Sequence, residues 1–386
     1  MSYRLDLPAT IIYGGDSREQ LPALAKQLGG SRVLLVTDPG VVALGFADDL
    51  VRLMTAAGLS VAIFDEIQPD PTDLNVAAGV EALKKHHADL VVALGGGSPI
   101  DAAKVIAISQ ANAGPLSKYM GLHKIVNPGI PLIAMPTTAG TGSEATKVAV
   151  ITDTESNVKM MMLSAPLLPS AAIVDYTYSM GMPKPLTAAV GVDTLTHGIE
   201  AYVSRKANAM TDPLALSCIR LVGQHLETAW NDPDNRLARE GMMLAATQGG
   251  MAFANSSVCL VHGMSRPIGA VFHLPHGLSN AILLPTVTDY STSASPDRYA
   301  AIARALNAAS DEDSDETACT KLVAWLERLN RSLDLPKLSG CKGVTSQVFE
   351  AQIGKMAIDA LASGSPDNNP RVPEADEIIE LYRKSW

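Results

Sequence analysis

Residues 90–104 read LVVALGGGSPIDAAK, an apolar run followed by three glycines and a helix-like stretch. The run Leu90–Leu94 is short and aliphatic, which is typical of a buried strand. Ser98 is a suitable N-cap, Pro99 suits the first helical position, and Asp101 then falls in the first turn. The stretch therefore predicts a strand, a tight turn and a helix start, the unit from which parallel α/β sheets are built.

Gly95, Gly96 and Gly97 leave this turn without Cβ atoms. A phosphate group can then approach the backbone N–H groups at the helix start, where the helix dipole also favours an anion. The segment is neither a GxGxxG motif nor a P-loop, and an ordinary strand-to-helix turn is the alternative. Three consecutive glycines exceed what such a turn needs, which favours phosphate binding.

Strand and helix patterns alternate over the first 180 residues, which indicates a parallel sheet covered on both faces. The predicted strands are Arg32–Thr37, Val61–Phe64, Leu90–Leu94, Leu132–Met135 and Ala172–Val174. The predicted helices between them are Gln20–Gln27, Val42–Ala57, Leu74–His86 and Pro99–Ile108.

Long helical patterns dominate after Met182. The segment Met182–Pro185 carries two prolines, which end a preceding element, so we place a domain boundary there. This predicts an α/β domain over residues 1–182 and an all-α domain over residues 183–386. The predicted helices of the second domain are Thr187–Ser204, Pro213–Asn231, Asn235–Asn255, Pro296–Asn307, Asp315–Leu329 and Thr345–Leu361.

Composition disfavours several classes of protein. The chain has 386 residues, 47% of them hydrophobic, which is enough for two domains with sizeable cores. A net charge of −10 disfavours a nucleic-acid or anionic-membrane partner. The N-terminus lacks the apolar segment of a signal peptide, and no apolar run reaches the ~20 residues that span a bilayer. The four cysteines have no framework spacing, so we expect reduced thiols and a cytoplasmic protein.

A second informative stretch, GVDTLTHGIEAYVS, occupies residues 191–204. Asp193 and His197 stand four residues apart, so they share one face of a helix if this stretch is helical. Glu200 falls on the same face one turn later. The pattern therefore places a carboxylate and an imidazole where both can reach one metal ion.

His262 and His276 extend this candidate set to one carboxylate and three imidazoles, a suitable site for a catalytic divalent metal. The two cannot lie on one straight helix and meet one ion, because fourteen residues span ~21 Å, whereas ligands lie ~2 Å from a metal. The chain must turn back, and Pro267, Gly269 and Pro275 allow this. The alternative is a set of structural, capping and exposed histidines without a metal.

Two further stretches bear on a nucleotide. Asp38 follows the first predicted strand, and a carboxylate there can accept hydrogen bonds from an adenosine ribose diol. It would repel a 2′-phosphate, which favours NAD over NADP, but a turn or cap role is an equal alternative. The loop PTTAGTGSE at residues 136–144 offers hydroxyls and open amides to a phosphate or ribose, or else is a polar connection.

Together these stretches resemble the iron-dependent (group III) alcohol dehydrogenase family over nearly the whole chain, in the family's order. The matching segments are VTDPG (36–40), GGGSPIDAAK (95–104), PTTAGTGSE (136–144), GVDTLTHGIEAYVS (191–204) and the frame of His262, Gly269, Pro275, His276 and Gly277. The resemblance implies the dehydroquinate synthase-like, iron alcohol dehydrogenase fold. In that fold an NAD-binding α/β domain with a parallel sheet precedes an all-α domain that binds the metal and carries the catalytic groups.

The resemblance also implies roles for individual residues. The implied metal ligands are Asp193, His197, His262 and His276. The implied ion is Fe(II), although the same ligand set suits Zn(II) and other divalent metals. The implied cofactor-binding residues are Asp38, Asp70, Gly95, Gly96, Gly97, Ser98, Thr138, Thr141 and Lys159. Phe253 corresponds to an aromatic residue near the substrate channel, with helix packing as the alternative.

One departure from the family's pattern matters for the chemistry. The family frame commonly reads H-x-x-x-H-x-x-G, and its second histidine, a proposed proton relay, is Arg266 here. Arginine stays charged near neutral pH and cannot relay a proton. Besides Phe253, the catalytic candidates are therefore His273 as a relay and Arg266 as a contact for an anionic substrate group. The alternatives are a supporting or exposed position for His273 and an ion pair for Arg266.

These observations predict an oxidoreductase that interconverts a primary alcohol and an aldehyde with NAD as hydride carrier. The alternatives are an enzyme like maleylacetate reductase or a hydroxyacid dehydrogenase, a lyase resembling dehydroquinate synthase, and a non-catalytic sensor. We expect a small alcohol or aldehyde as substrate and no nucleic-acid or membrane partner. The family implies a homodimer or larger homo-oligomer.

Overall fold

The computed structural model describes residues 3–156 and 158–386, which divide into the units Arg4–Met180 and Gly181–Trp386. All strands among the described residues belong to the first unit. They are β1 (Thr10–Tyr13), β2 (Arg32–Val36), β3 (Ser60–Phe64), β4 (Leu90–Gly95), β5 (Gly121–Leu122), β6 (Leu132–Pro136), β7 (Val148–Asp153), β8 (Val158–Leu163) and β9 (Ala171–Val174). The helices of this unit are α1 (Leu21–Gln27), α2 (Pro39–Ala43), α3 (Phe46–Ala56), α4 (Asp73–His86) and α5 (Gly97–Ile108).

Six of these strands form one parallel sheet in the order β1-β9-β6-β4-β2-β3. The chain passes from β2 to β3 on one side and then returns to β4 on the other side of β2. The strand order therefore reverses between β2 and β4. In open α/β sheets, ligands bind beyond the carboxyl ends of the strands at this switch point.

Helices cover both faces of the sheet, because successive strand residues point to opposite sides. Leu34 and Val36 of β2 pack with residues of α4 and α5. Val33 and Leu35 pack on the opposite face with residues of α1 and α3. A three-stranded sheet, β5-β8-β7, adds to the first of these cores. The predicted parallel sheet with two covered faces is confirmed.

The second unit is entirely helical among its described residues. Its helices are α6 (Lys184–Val203), α7 (Asp212–Asn231), α8 (Arg236–Phe253), α9 (Leu260–Phe272), α10 (His276–Thr292), α11 (Pro296–Ala305), α12 (Asp315–Ser332), α13 (Ser346–Ala362) and α14 (Ala375–Lys384). None of the helices in the described residues is both long enough and apolar enough to cross a membrane. The all-α architecture predicted for this half of the chain is confirmed.

Two local predictions about the first unit were wrong. Ser98 is not the N-cap of α5, because the extended backbone of Gly96 lets the helix begin at Gly97. Asp101 accordingly lies beyond the first helical turn. The helix predicted over Val42–Ala57 is two helices, α2 and α3, because Gly45 adopts a left-handed conformation with φ 78° between them.

Candidate metal centre and nucleotide site

Asp193 and His197 lie one turn apart on α6, a helix whose residues are buried along most of its length. This helix packs against α7, α8 and α10. The Asp193 residue is 2% exposed and the His197 residue 5%. Buried polar groups persist only where they find partners, so this pair marks a site inside the helical unit.

The predicted ligands converge on Asp193. Its Oδ1 atom lies between 3.7 and 3.9 Å from Nε2 of each of the three predicted histidine ligands. Four ligands bonded tetrahedrally to one ion at ~2.1 Å lie about 3.4 Å apart. The ligand atoms of Asp193, His262 and His276 also lie within 4.8 Å of one another. The spacing and donor set of Asp193, His262 and His276 therefore fit a divalent cation, and His197 joins this group through its 3.8 Å approach to Asp193 Oδ1.

His197 lies at the side of this cluster. Its ring stacks on the ring of His262, with centroids 4.8 Å apart and an interplanar angle of 23°. It also stacks on Phe253, the last residue of α8, with centroids 4.4 Å apart and an interplanar angle of 25°. Phe253 thus contacts a predicted ligand directly and restricts the orientation of its ring.

His262 and His276 reach the same point because the chain reverses between α9 and α10. The reversal takes place at 273–275, where His273 adopts a left-handed conformation with φ 55°. Pro267 and Gly269, predicted to allow the turn, instead lie inside α9, while Pro275 does take part in the reversal. His276 is the first residue of α10, and 47% of its side chain is exposed.

Glu200 fixes the orientation of His262. Its Oε2 accepts hydrogen bonds from Nδ1 of His262 at 2.6 Å and from the backbone N–H of Cys259 at 2.7 Å. Its Oε1 accepts from the backbone N–H of Val261 at 2.6 Å. A carboxylate on Nδ1 leaves Nε2 as the free ligand atom and aims it at the metal. The sequence placed Glu200 on the same helix face as Asp193, but its supporting role was not predicted.

Burial shifts the pKa of both His262 and Glu200. Desolvation holds the pKa of His262 well below its ordinary value, and repulsion from His197 and Arg266 adds to this effect. The His262 ring is therefore neutral near pH 7, as a metal ligand must be. Burial raises the pKa of Glu200 to about 7, although its backbone hydrogen bonds from Cys259 and Val261 oppose the rise.

Asn280 also contacts the cluster, and sequence reasoning missed it. Its Nδ2 atom lies 2.6 Å from Oδ1 of Asp193 and 3.2 Å from Nε2 of both His262 and His276. Asn280 follows His276 by four residues on α10, so both side chains lie on one helix face. That spacing was the signal in the sequence that could have identified it.

Arg266, the predicted contact for an anionic substrate group, and His273, the predicted proton relay, lie in different surroundings. Arg266 is half-buried one turn after His262, and its Nη1 donates to the Ser365 hydroxyl at 3.1 Å. Its positive charge contributes to the lowered pKa of His262. His273 is exposed at the end of α9 and forms no hydrogen bond to Asp193 or to a predicted histidine ligand.

In the first unit, Asp38 lies at the switch point of the sheet. Its carboxylate accepts a hydrogen bond from the backbone N–H of Val41 at 2.9 Å and so caps α2. A Cβ atom on Gly95, which ends the neighbouring strand β4, would lie 3.3 Å from Asp38 Oδ2. Asp38 is therefore the N-cap of α2, and its part-buried carboxylate lies beside the glycine turn.

The glycine turn contacts the threonine-rich loop that follows β6. A Cβ on Gly96 would lie 3.3 Å from Thr138 Oγ1, and one on Gly97 would lie 3.0 Å from Thr141 Cγ2. Gly95 has φ +151°, and a Cβ there would lie 2.5 Å from Pro99 Cγ. Local packing thus accounts for part of the glycine requirement, and the same contacts place two threonines beside the N-terminus of α5.

The three remaining predicted cofactor-binding residues are Ser98, Asp70 and Lys159. Ser98 is the second residue of α5 and is partly exposed. Lys159 on β8 forms an ion pair with Asp70, with Nζ and Oδ1 2.7 Å apart. Both side chains of that pair are exposed, Asp70 by 71% and Lys159 by 44%. A contact between the cofactor and Asp70 or Lys159 would compete with the ion pair that these two residues form with each other.

Comparison with known proteins identifies the family. The model of the iron-containing alcohol dehydrogenases matches residues 8–176, and that of the Fe-containing alcohol dehydrogenase family's C-terminal part matches residues 187–386. The chain is 38% identical to a 1,3-propanediol dehydrogenase of Citrobacter freundii, over 100% of both proteins. It is 35% identical to an NAD-dependent methanol dehydrogenase of Bacillus methanolicus, over 98% of both.

The solved structures agree. A crystal structure of a 1,3-propanediol oxidoreductase superposes with a TM-score of 0.97 at 36% identity, over 100% of both chains. The protein therefore belongs to the iron-containing alcohol dehydrogenase family. The predicted enzyme class, an oxidoreductase acting on CH–OH groups, is confirmed. These relatives give no support to the anionic-substrate or lyase alternatives.

Proposed function

We propose that this protein is an NAD-dependent, metal-containing alcohol dehydrogenase that interconverts a small primary alcohol and its aldehyde. The observation that carries the proposal is the convergence of one carboxylate oxygen and three imidazole nitrogens inside the helical unit. Asp193, His197 and His262 are buried, and a buried polar group of this kind, with neutral imidazole at His262, is poorly explained by packing alone. The names of its relatives point to NAD and to small alcohols.

The all-α domain, to which we assign residues 183–386, would hold the cation through Asp193, His197, His262 and His276. A divalent ion supplies Lewis acidity, which polarises a carbonyl oxygen or lowers the pKa of an alcohol. Glu200 holds the His262 ring in its orientation, and Phe253 does the same for His197 by stacking. The family favours Fe(II), whereas the donor set is equally suited to Zn(II).

The α/β domain, to which we assign residues 1–182, would bind NAD, which accepts or returns the hydride. The N-terminus of α5 and the open backbone of Gly96 and Gly97 suit the pyrophosphate. Thr138 and Thr141 lie beside these glycines and can donate hydroxyl hydrogen bonds to it. Asp38, at the end of the neighbouring strand, suits the ribose diol.

Other aspects of the proposal follow from the same residues and from the relatives. Arg266 is held by Ser365 and cannot exchange a proton, so we assign proton exchange with solvent to the exposed imidazole of His273. We place the enzyme in the cytoplasm as a homodimer or larger homo-oligomer, without nucleic-acid or membrane partners.

Metal removal tests the proposal. We expect dialysis of the full-length protein against a chelator to lower NAD reduction with its best primary alcohol by at least about 100-fold, because the Lewis acid is lost. Activity should return with Fe(II) or Zn(II), and metal analysis should show about one ion per chain. Full activity in a metal-free preparation, or no turnover on any member of a panel of alcohols, would contradict it.

Asp38 tests the preference for NAD. Asp38→Ser should raise the ratio of kcat/KM with NADP to that with NAD by at least about tenfold, because the carboxylate that repels a 2′-phosphate is gone. Serine is itself a good N-cap, so α2 should keep its stability to within a few tenths of a kcal/mol. Asp38→Ala removes both the charge and the cap, and comparing the two variants separates the effects. An unchanged NADP-to-NAD ratio in both would rule out the ribose contact.

A further inference from the structure

Asn280 faces more hydrogen-bond acceptors than it has hydrogens to offer. Oδ1 of Asp193 lies 2.6 Å from Nδ2, and Nε2 of His262 and of His276 lies 3.2 Å from it. Both imidazole nitrogens are acceptors in the neutral tautomer that leaves Nε2 free to bind a metal. The hydrogen bond from His262 Nδ1 to Glu200 leaves the His262 Nε2 lone pair pointing at this amide. An amide nitrogen carries two N–H groups, so one of the three lone pairs is left without a proton.

The other end of the same amide is also unsatisfied. Oδ1 of Asn280 is buried, and no residue among 3–156 and 158–386 donates a hydrogen bond to it. Asn280 itself is 0% exposed. A buried carbonyl without a donor is unfavourable. The present orientation of the amide is therefore imposed by the acceptors of the cluster and not by the surroundings of Oδ1.

A cation in the cluster would reverse these preferences. The N–H groups of an amide carry partial positive charge and are repelled by a cation, whereas a carbonyl oxygen is a suitable ligand or neighbour for one. Rotating the amide by half a turn exchanges Oδ1 and Nδ2 without moving α10. This exchange removes the repulsion and gives the buried carbonyl a partner.

We propose that Asn280 is a further residue of the metal centre, and that its amide inverts on cation binding so that Oδ1 replaces Nδ2 at the ligand cluster. The inference rests on the proposed metal-dependent function. In the cation-free protein the amide holds Asp193, His262 and His276 together. In the loaded protein it contributes an oxygen on the side of the cluster formed by these three residues.

Metal binding by three full-length variants tests this role. Binding is measured with Co(II), from its visible absorption in competition with a chelator. Asn280→Leu keeps the approximate size but has no oxygen, and we expect its Co(II) affinity to fall at least about tenfold. Asn280→Asp keeps an oxygen and adds charge, so it should bind Co(II) at least as tightly as the wild type. A merely structural role for the amide would not produce opposite effects in the two variants.

Asn369→Leu is the matched control. Asn369 is a buried amide of the same unit that donates to the Ser291 hydroxyl at 2.9 Å and to the carbonyl of Arg371 at 2.7 Å. It makes no contact with the cluster, so its loss should leave Co(II) affinity unchanged. This control separates general destabilisation from an effect on the ion.

The results distinguish a failure of the proposed metal centre from a failure of the role proposed for Asn280. If the wild type binds no Co(II), the metal centre is wrong and the inference falls with it. If the wild type binds Co(II) and Asn280→Leu binds it equally well, only the role of Asn280 is overturned. The same holds if Asn280→Asp loses as much affinity as Asn280→Leu. Should Asn280→Leu fail to fold, the comparison of Asn280→Asp with the wild type decides, since weaker binding would overturn the inference.

Discussion

Replacing Asp193 by asparagine is expected to lower kcat/KM for NAD-linked alcohol oxidation by at least about 10³-fold, or about 4 kcal/mol of transition-state stabilisation. Asp193 is the one carboxylate among the four predicted ligands, and its Oδ1 lies within 3.9 Å of Nε2 of each histidine. Asparagine keeps the shape of the side chain but removes the negative charge that offsets the charge of the cation. Steady-state kinetics of the purified variant measures the fall in kcat/KM, and metal analysis measures the metal that the variant retains.

A surface carboxylate provides the control for this variant. Asp289 lies on α10 and is exposed, so Asp289→Asn changes the net charge of the protein equally without touching the cluster. Its metal content and kcat/KM should stay within about twofold of the wild type. Retention of both metal and activity in Asp193→Asn would show that the carboxylate is not a ligand.

Gly277→Ala is expected to destabilise the helical unit and to loosen the metal centre. A Cβ atom at Gly277 would lie 2.5 Å from the carbonyl oxygen of Ala189 and 3.3 Å from Cβ of Asp193. Because the nearest atom is backbone, α10 and α6 must move apart, which typically costs about 1–3 kcal/mol. For a unit of about 200 residues each kcal/mol lowers Tm by about 2–4 °C. The movement also separates His276 from Asp193, so we expect metal affinity to fall at least about tenfold.

Gly354→Ala makes the same chemical change where there is room for it. Gly354 lies inside α13, and no atom would come within 4 Å of an added Cβ. Alanine is the better helix former by about 1 kcal/mol, so this variant should be as stable as the wild type or more stable. Thermal melting and Co(II) titration of both variants separate crowding from helix propensity. Equal Tm values for Gly277→Ala and the wild type would show that α6 and α10 accommodate the methyl group.

The sheet was predictable because its central strands are short aliphatic runs bounded by turn residues. All five predicted strands are present, from Arg32–Val36 to Ala171–Val174. The strands that were missed are β1, at one edge of the large sheet, and all three strands of the small sheet, β5, β7 and β8. The residues of β7 and β8 are only partly buried and include the polar and charged side chains of Thr152, Asp153 and Lys159. Such strands are stabilised mainly by pairing with each other, and this pairing leaves only a weak pattern in the sequence.

The helices that carry two of the predicted ligands were not predicted at all. α9 contains Pro267 and Gly269, and α10 contains Pro285, residues that disfavour a helix in isolation. Both helices are stabilised by packing, since α10 packs on α6, α9 and α12. Tertiary contacts override local propensity here, which is why Pro267 and Gly269 were misread as a turn.

The cluster itself was predictable as a set of residue types, but its supporting residues were not. Asp193 and His197 are linked by helical spacing, His262 and His276 completed a suitable donor set on condition that the chain turned back, and the resemblance then implied that all four are ligands. Glu200 and Asn280 act through hydrogen bonds to those residues, and such contacts depend on how three helices pack. Spacing places each on the same helix face as a predicted ligand, but it does not show which atoms they meet.

The four predicted ligands come from three helices, α6, α9 and α10, and the helices α7 and α8 separate the first of these from the other two in sequence. A cation that binds all of them binds the folded chain and not the unfolded one. By mass action it would then stabilise the fold by about 2.7 kcal/mol at a free concentration one hundred times its Kd. The heat resistance of this enzyme would therefore follow its supply of metal, and a protein purified without the ion would be the more easily unfolded and proteolysed form.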